Sequence, residues 1–249
     1  VNDMKREILL IVASGKSSRF GGFPKAFCSL GEKTNADNTI AMADGIFDKV
    51  YIGVNSATYE QFSDKIKGCE MFNIKTGQGD AHSILKCLRY VQLKEPSLKR
   101  ITVCWGDAVF ADSTPFKQLL ISEDKVAVAC ANDAKPYAWF DVDEHLNIKK
   151  SHFAKEEGFV DFGWHDQSLF SFDFAYALKY LNDYRESLGI SDNNDERYSD
   201  VNEMKLLYSF EYLRSINEPA KCVPVEGGKV LSFNTQEELE AIKNYLIEE

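Results

Sequence analysis

Lys16, Arg19 and Lys25 lie close together in a stretch that also carries Gly15, Ser17, Ser18, Gly21 and Gly22. Small residues let backbone N–H groups turn inward as an anion cradle, and the cations add the charge that a phosphate chain needs. The stretch follows a short run rich in Ile, Leu and Val that begins at Ile8, which reads as a strand buried on both faces. A buried strand feeding a small, basic, Gly-rich loop is a candidate triphosphate site. The spacing excludes two common alternatives, because the stretch contains neither G-x-x-x-x-G-K-[ST] nor G-x-G-x-x-G.

The segment Val12-Ala13-Ser14-Gly15-Lys16-Ser17-Ser18-Arg19-Phe20, with Pro24-Lys25 after it, resembles the signature of nucleotidyltransferases with a GT-A-like, Rossmann-type domain. That superfamily includes the sugar-phosphate, molybdopterin and phosphocholine enzymes, and its usual form is A-A-G-x-G-S/T-R-M/F followed by P-K. Ser14 replaces the second alanine and Ser17 the second glycine, and both are small enough for close approach to a ligand. The resemblance implies that Ala13, Ser14, Gly15, Lys16 and Ser17 cradle the nucleotide. It implies catalytic roles for Arg19 and Lys25, which would stabilise charge building on the α-phosphorus. An ordinary surface loop is the plain alternative, and Arg19 with Pro24-Lys25 makes the match specific.

The same resemblance assigns two later loops. Thr76-Gly77-Gln78-Gly79-Asp80 lies between a strand and a helix, where relatives hold base and ribose. The Gln78 amide offers both a donor and an acceptor to a base edge, and Gly77 and Gly79 complete the nucleotide-binding set. Read without the resemblance, this is equally a turn that uses Gly for its backbone angles. Trp105-Gly106-Asp107 follows a strand at the position of the G-D whose aspartate ligates Mg²⁺. Mg²⁺ takes hard oxygens, often one or two carboxylates plus phosphate oxygens, and a strand's C-terminal end is where such sheets bind ligands. Asn234 matches a second metal position just before the last helix, with a helix-flanking Asn as the alternative. Asp200 lies in a segment similar to E-Y-x-x-T-D and reads more readily as a helix cap. Lys155, Glu156 and Gly163 fall where relatives bind the acceptor. His82, His145, His152 and His165 form no metal set and read as surface or substrate-contact residues.

The implied reaction is Mg²⁺-dependent transfer of a nucleotidyl group from an NTP to a phosphorylated small molecule, with release of pyrophosphate. The S-S-R-F…P-K-A-F version is most similar to cytidylyltransferases of surface-polysaccharide head groups. Enzymes that act on phosphoglutamine in capsule phosphoramidate synthesis stand first, and phosphocholine enzymes next. CTP is therefore the expected nucleotide. A hexose-1-phosphate enzyme, or a nucleotide-binding protein of the same fold without turnover, remains an alternative. Composition agrees with a small anionic substrate and not a polyanion. With 29 basic and 39 acidic residues the net charge is −10, which argues against non-specific binding to nucleic acid or an anionic membrane. The six cysteines form no C-x-x-C pair and read as buried reduced thiols, not as disulfides or a zinc site. No apolar run approaches the ~18 residues a membrane span needs, and no leader pattern precedes the first strand, so a cytoplasmic protein is expected.

The elements that must position these residues alternate between strand and helix. Strands are expected at Lys49–Val54, Met71–Ile74, Arg100–Trp105 and Lys125–Ala131, with helices at Ala57–Ile66, Asp80–Leu93 and Thr114–Ile121. This order predicts an α/β fold, a Rossmann-like, mostly parallel mixed sheet flanked by helices. Shorter strands at Tyr137–Val142, Leu146–Lys149 and Ser168–Phe172 predict a small antiparallel insertion. A helix at Val201–Ser215 and strands at Cys222–Val225 and Val230–Phe233 follow. Thr235 and Glu238 form a capping-box pattern into a last helix with Leu239, Ile242 and Leu246 inward. One domain over residues 4–249 is expected, with a nucleotide-binding half (4–131) and an acceptor-binding half (132–249).

Overall fold

A computed structural model describes residues 6–192, 203–226 and 229–248. The first half runs β1 (Ile8–Ala13), β2 (Ser29–Leu30), β3 (Lys33–Thr34), α1 (Asn35–Ala43), β4 (Lys49–Val54), α2 (Ser56–Phe62) and β5 (Glu70–Asn73). It continues with α3 (Asp80–Lys94), β6 (Arg100–Trp105), β7 (Val109–Phe110), α4 (Thr114–Leu119) and β8 (Val126–Ala134). The second half holds β9 (Ala138–Val142), β10 (Ile148–Phe153), α5 (Ala154–Glu157), β11 (Phe162–Asp173) and α6 (Phe174–Ser187). After residue 202 come α7 (Leu206–Ser215), β12 (Lys221–Pro224), β13 (Val230–Leu231) and α8 (Gln236–Glu248).

β1 is the strand on which the fold is built. It pairs in parallel with β4 on one side and β6 on the other, Leu10 facing Tyr51 and Val103, and β5 extends the parallel set beyond β4. Its side chains alternate between two buried layers. Ile8, Leu10 and Val12 join the core under α3, α6 and α7, while Leu9 and Ile11 join the one under α1 and α4. Burying each such side chain is worth about 1.5–3 kcal/mol, so a run apolar at every position can only be a central strand covered on both faces. Strands from both sides of residue 131 belong to one nine-stranded mixed sheet of order β10-β9-β11-β6-β1-β4-β5, with β8 paired to β11 and β12. This is the expected α/β architecture.

β11 differs from expectation and matters for the site. It begins at Phe162, not Ser168, and runs antiparallel to β6 through Leu169–Asp173. Its first half therefore overhangs the C-terminal end of β6, where Asp107 follows. The register with β8 shifts between Asp166 and Phe170, and Ser168 adopts φ 57°, so the strand kinks there. Three helices, α1, α6 and the single turn α5, have no counterpart in the sequence reading. The buried face of α1 is Asn35, Ala36, Thr39 and Ala43, too small and polar to show an apolar period. α6 follows β11 with no polar break, Asp173 ending the strand and capping the helix through Tyr176 N. The helix expected from Val201 is described from Leu206, and Asp200 lies outside the described residues.

The C-terminal segment returns to the strand ends. β13 pairs with β7, and Phe233, Leu239 and Ile242 pack on Val109 and Cys28. Thr235 and Glu238 exchange side-chain-to-backbone bonds (3.2 and 3.3 Å), which fixes the start of α8 beside Asn234. The six cysteines are free thiols, and no described helix is long and apolar enough to cross a membrane.

Candidate active site

The loop after β1 is shaped by its own backbone. Ser17 adopts φ 48°, Gly21 69° and Gly22 81°, and the Ser17 carbonyl accepts from Phe20 N (2.8 Å) and Gly22 N (3.0 Å). Asn55, at the end of β4, donates its amide to the carbonyls of Ser14 (3.2 Å) and Gly15 (3.3 Å) and caps α2 through Thr58 N. Lys25 opens a short 3₁₀ turn, Lys25–Phe27, whose Phe27 ring stacks on Phe62 at 4.2 Å. The root of the lysine is therefore fixed while its ammonium reaches outward.

That ammonium meets two oxygens from distant parts of the chain. Lys25 Nζ is 3.0 Å from Asn234 Oδ1 and 3.5 Å from Asp107 Oδ2, and lies 5.6 Å from the centre of the Phe233 ring. Asp107 stands where β6 ends against β1. Gly106 N donates to Val12 O (2.9 Å), and a Cβ on Gly106 would sit 2.6 Å from Ala13 Cβ, so only glycine allows this approach. Asn35, fully buried at the start of α1, clamps the turn from behind. Its amide donates to both Gly106 O and Ala108 O at 3.0 Å, on either side of Asp107. A carboxylate and an amide oxygen converging on one positive charge is a hard donor set of the kind Mg²⁺ accepts, so these residues fit that ion. No group of three or more His, Cys, Asp or Glu able to hold a metal occurs among the described residues.

The opposite wall is the Thr76–Asp80 loop, whose backbone groups are held almost one by one. Lys86 Nζ donates to Thr76 O (2.5 Å), Gln78 N donates to His82 Nδ1 (3.0 Å), and Ser83 donates to Gly79 O through both N and Oγ (3.1 Å each). The segment before α7 then docks on the loop. Met204 N donates to Gln78 O (2.9 Å), Ala81 N to Met204 O (3.0 Å), and Leu206 N to Asp80 Oδ1 (2.7 Å). Gly79 adopts φ 104°, and a Cβ there would fall 2.4 Å from Met204 O. Desolvation pushes the Asp80 carboxyl up to about 6, although the residue opens on the cleft.

Between these walls lies a cleft of about 520 Å³, lined by Ala13 to Arg19, Lys25, Gly77, Gly79, Asp107 and Asn234. The structure thus brings all but four of the site residues read from the sequence to one cavity. Gln78 is buried at 7 % exposure behind the wall. Lys155, Glu156 and Gly163 do not line the cleft. Glu156 accepts from Tyr208 OH (3.0 Å), and Gly163 packs against Trp139 on the overhanging half of β11. Asp166, on that same half, has its carboxyl pushed up by desolvation, with the charge of Asp107 adding to the effect. Asp80, Ser83, Trp105 and Glu203 also line the cleft, and Asn35 supports it, without having been singled out as site residues. Asp80, directly after the G-x-G turn, and Trp105, directly before the Gly106-Asp107 pair, lie within the segments that the sequence marks. Glu203 and Asn35 arrive through tertiary packing.

A mixed sheet that presents a basic, Gly-rich turn and a Gly-Asp turn to one cleft, with a C-terminal Asn between them, defines the nucleotidyltransferase class. The family model for the MobA-like NTP transferase domain matches residues 9–170, and the chain belongs to that family. A search of curated protein sequences finds no match. Among solved structures, the inositol-1-phosphate CTP transferase from T. maritima superposes with a TM-score of 0.71 at 15 % identity, over 98 % of this chain and 96 % of that one. The 4-diphosphocytidyl-2C-methyl-D-erythritol synthase from Anaerococcus prevotii gives 0.64 at 14 % identity, over 98 % and 100 %. A UDP-glucose pyrophosphorylase complexed with UDP-glucose gives 0.68 at 13 % identity, over 98 % and 99 %. At these identities the likeness is one of fold.

Proposed function

We propose that this nucleotidyltransferase is a Mg²⁺-dependent cytidylyltransferase that joins CTP to a phosphorylated small molecule and releases pyrophosphate. The acceptor would be phosphoglutamine-like or phosphocholine-like, in cytoplasmic synthesis of a capsule or surface polysaccharide. The convergence of Lys25, Asp107 and Asn234 beside the Gly15 loop is the observation that carries the reaction class. The resemblance of the S-S-R-F…P-K-A-F stretch to cytidylyltransferases supports CTP, and the overhang of β11 supports an acceptor site built by residues 132–249.

In the proposed reaction an acceptor phosphate oxygen attacks the α-phosphorus in line. A new P–O bond forms as the bond to the bridging oxygen of the β-phosphate breaks, and that electron pair leaves with pyrophosphate. The acceptor phosphate is already ionised near neutral pH, so no side chain must remove a proton. The protein holds the reactants and meets the growing charge with preformed cations, Arg19 and Lys25. Mg²⁺ held by Asp107 and Asn234 would neutralise phosphate charge. Backbone around Ala13–Ser17 cradles the phosphates, and the Gly77–Gly79 loop with Gln78 takes the base. Lys155, Glu156 and Gly163 are proposed to serve the acceptor.

Pyrophosphate release from CTP, UTP, ATP and GTP, each with phosphoglutamine, phosphocholine and glucose-1-phosphate, tests this reading. Release that needs both CTP and an amino-acid or choline phosphate is expected. Release with UTP and glucose-1-phosphate would favour the second reading, a hexose-1-phosphate enzyme, which the likeness to the UDP-glucose pyrophosphorylase structure supports. Nucleotide binding with no release from any pair would favour a non-catalytic protein.

A further inference from the structure

His82 is fully buried on the first turn of α3, yet it is tied to the cleft through a single atom. Its Nδ1 accepts the backbone N–H of Gln78 at 3.0 Å. Only a ring bare at Nδ1 can accept that bond, so the proton of the neutral imidazole must sit on Nε2. Nε2 has no hydrogen-bond partner among the described residues and stands 4.0 Å from Asp192 Oδ1. Asp192 is itself held from both sides, by Arg89 (2.8 and 3.2 Å) and by Arg185 Nε (3.2 Å). The ring therefore lies between a fixed carboxylate and the one backbone N–H at the apex of the G-Q-G turn. The buried ring thus carries a desolvated Nε2 and gives in return an acceptor to the Gln78 N–H, which Leu or Phe at this position could not supply.

We propose that His82 is a positioning residue for nucleotide choice, orienting the Gln78 peptide so that the Gly77–Gly79 wall presents a fixed set of groups to the base. The proposal rests on the reading that this wall meets the base. Discrimination by hydrogen bonding works only when the protein's groups cannot turn to suit the wrong partner. Lys86 holds Thr76 O, Ser83 holds Gly79 O and Met204 holds Gln78 O, so these three bonds fix carbonyls of the loop, whereas the imidazole fixes a peptide N–H. Without the imidazole, the Gln78 N–H would lose its bond to Nδ1, and the peptide would lose a contact that fixes its orientation.

The test compares wild type with His82→Leu, which keeps bulk and loses the acceptor, and His82→Asn, whose amide oxygen can take the place of Nδ1. kcat/KM is measured for all four nucleotides with the acceptor that supports the highest rate. His82→Leu is expected to reduce the preference for the best nucleotide by about tenfold, as loss of one specific polar contact does, and His82→Asn to restore it to within about threefold. An equal fall for all four nucleotides in His82→Leu, or no restoration by Asn, would overturn the proposal. A second measurement does not depend on the variants folding or on turnover. In long-range ¹H–¹⁵N spectra of the wild-type protein, Nδ1 is expected to be unprotonated and to shift with the preferred nucleotide more than with the other three. A protonated Nδ1, or equal shifts with all four, would also overturn it. If no nucleotide moves the amides of residues 77–79 at all, the base-wall reading fails, a result separate from either of these.

Discussion

Asn35→Ala is expected to lower stability and turnover together, because one buried side chain supports the turn that carries Asp107. The amide makes two bonds of 3.0 Å to the carbonyls of Gly106 and Ala108. Losing each costs about 1 kcal/mol net, and more where the carbonyl is left buried without a partner. One term opposes this, since Asn35 Oδ1 has no partner among the described residues and its removal relieves a burial cost of similar size. The balance is a loss of about 1 kcal/mol or more, or at least about 2–4 °C in Tm for a chain of this length. A shift of about 1 Å in Asp107 would then cost up to ~10²-fold in kcat. Asn38→Ala is the control, because Asn38 donates one bond, to Phe110 O at 2.9 Å, away from the Asp107 turn. It should lose stability and keep kcat. Thermal unfolding and steady-state pyrophosphate release on both variants decide the matter. A Tm within about 1 °C of wild type for Asn35→Ala, with unchanged kcat, would refute the clamp.

Lys25→Ala should lower kcat far more than it raises KM for the nucleotide, since its ammonium is placed to meet charge that grows in the transition state; a raised KM with intact kcat would make it a ground-state clamp. Gln78→Ala should narrow the gap in kcat/KM between CTP and its competitors, by about 1–3 kcal/mol if the side chain reaches the base edge. Its burial behind the wall makes an equal fall for all four nucleotides the instructive alternative, which would assign it to loop shape. His82 should make stability pH-dependent. Desolvation first, and then the charge of Lys86, holds its pKa down to about 4 from 6.5, with Asp192 opposing and Arg185 and Arg89 adding. In that window the unfolded chain binds the proton that the folded chain refuses, so the stability present above pH 6.5 is lost as pH falls toward 4. The loss is about 3 kcal/mol at most. Urea unfolding of wild type and His82→Asn at pH 7.5 and 5 should show a steeper fall for wild type, and parallel falls would contradict it.

The sheet was legible because burial on both faces leaves no freedom of pattern. Ile8–Val12, Val50–Val54 and Ile101–Cys104 are apolar at nearly every position, and a parallel strand between helices is the one element that demands this. The phosphate loop was legible because its glycines and cations are local in sequence. Asn35, Glu203 and His82 were not, each for a tertiary reason. Asn35 sits on a helix whose buried face is too polar to announce itself, and it works through carbonyls of a different strand end. Glu203 reaches the cleft only because Met204 docks on a glycine with no Cβ. His82 reads as an ordinary polar residue of an amphipathic helix until the burial of its ring is known. Asn234 was found by motif, but its approach to Lys25 depends on β13 pairing with β7.

Turnover by Asp107→Ala across a Mg²⁺ titration tests most directly whether the Lys25–Asp107–Asn234 junction is where phosphate charge is handled. Asp107 is 42 % exposed, so its loss should leave the fold intact by circular dichroism. Wild type should release pyrophosphate only with Mg²⁺ present, and Asp107→Ala should be slower by ~10²–10³-fold, the usual cost of one lost transition-state contact. A variant within about threefold of wild type, or wild-type turnover that persists in excess chelator, would contradict the assignment.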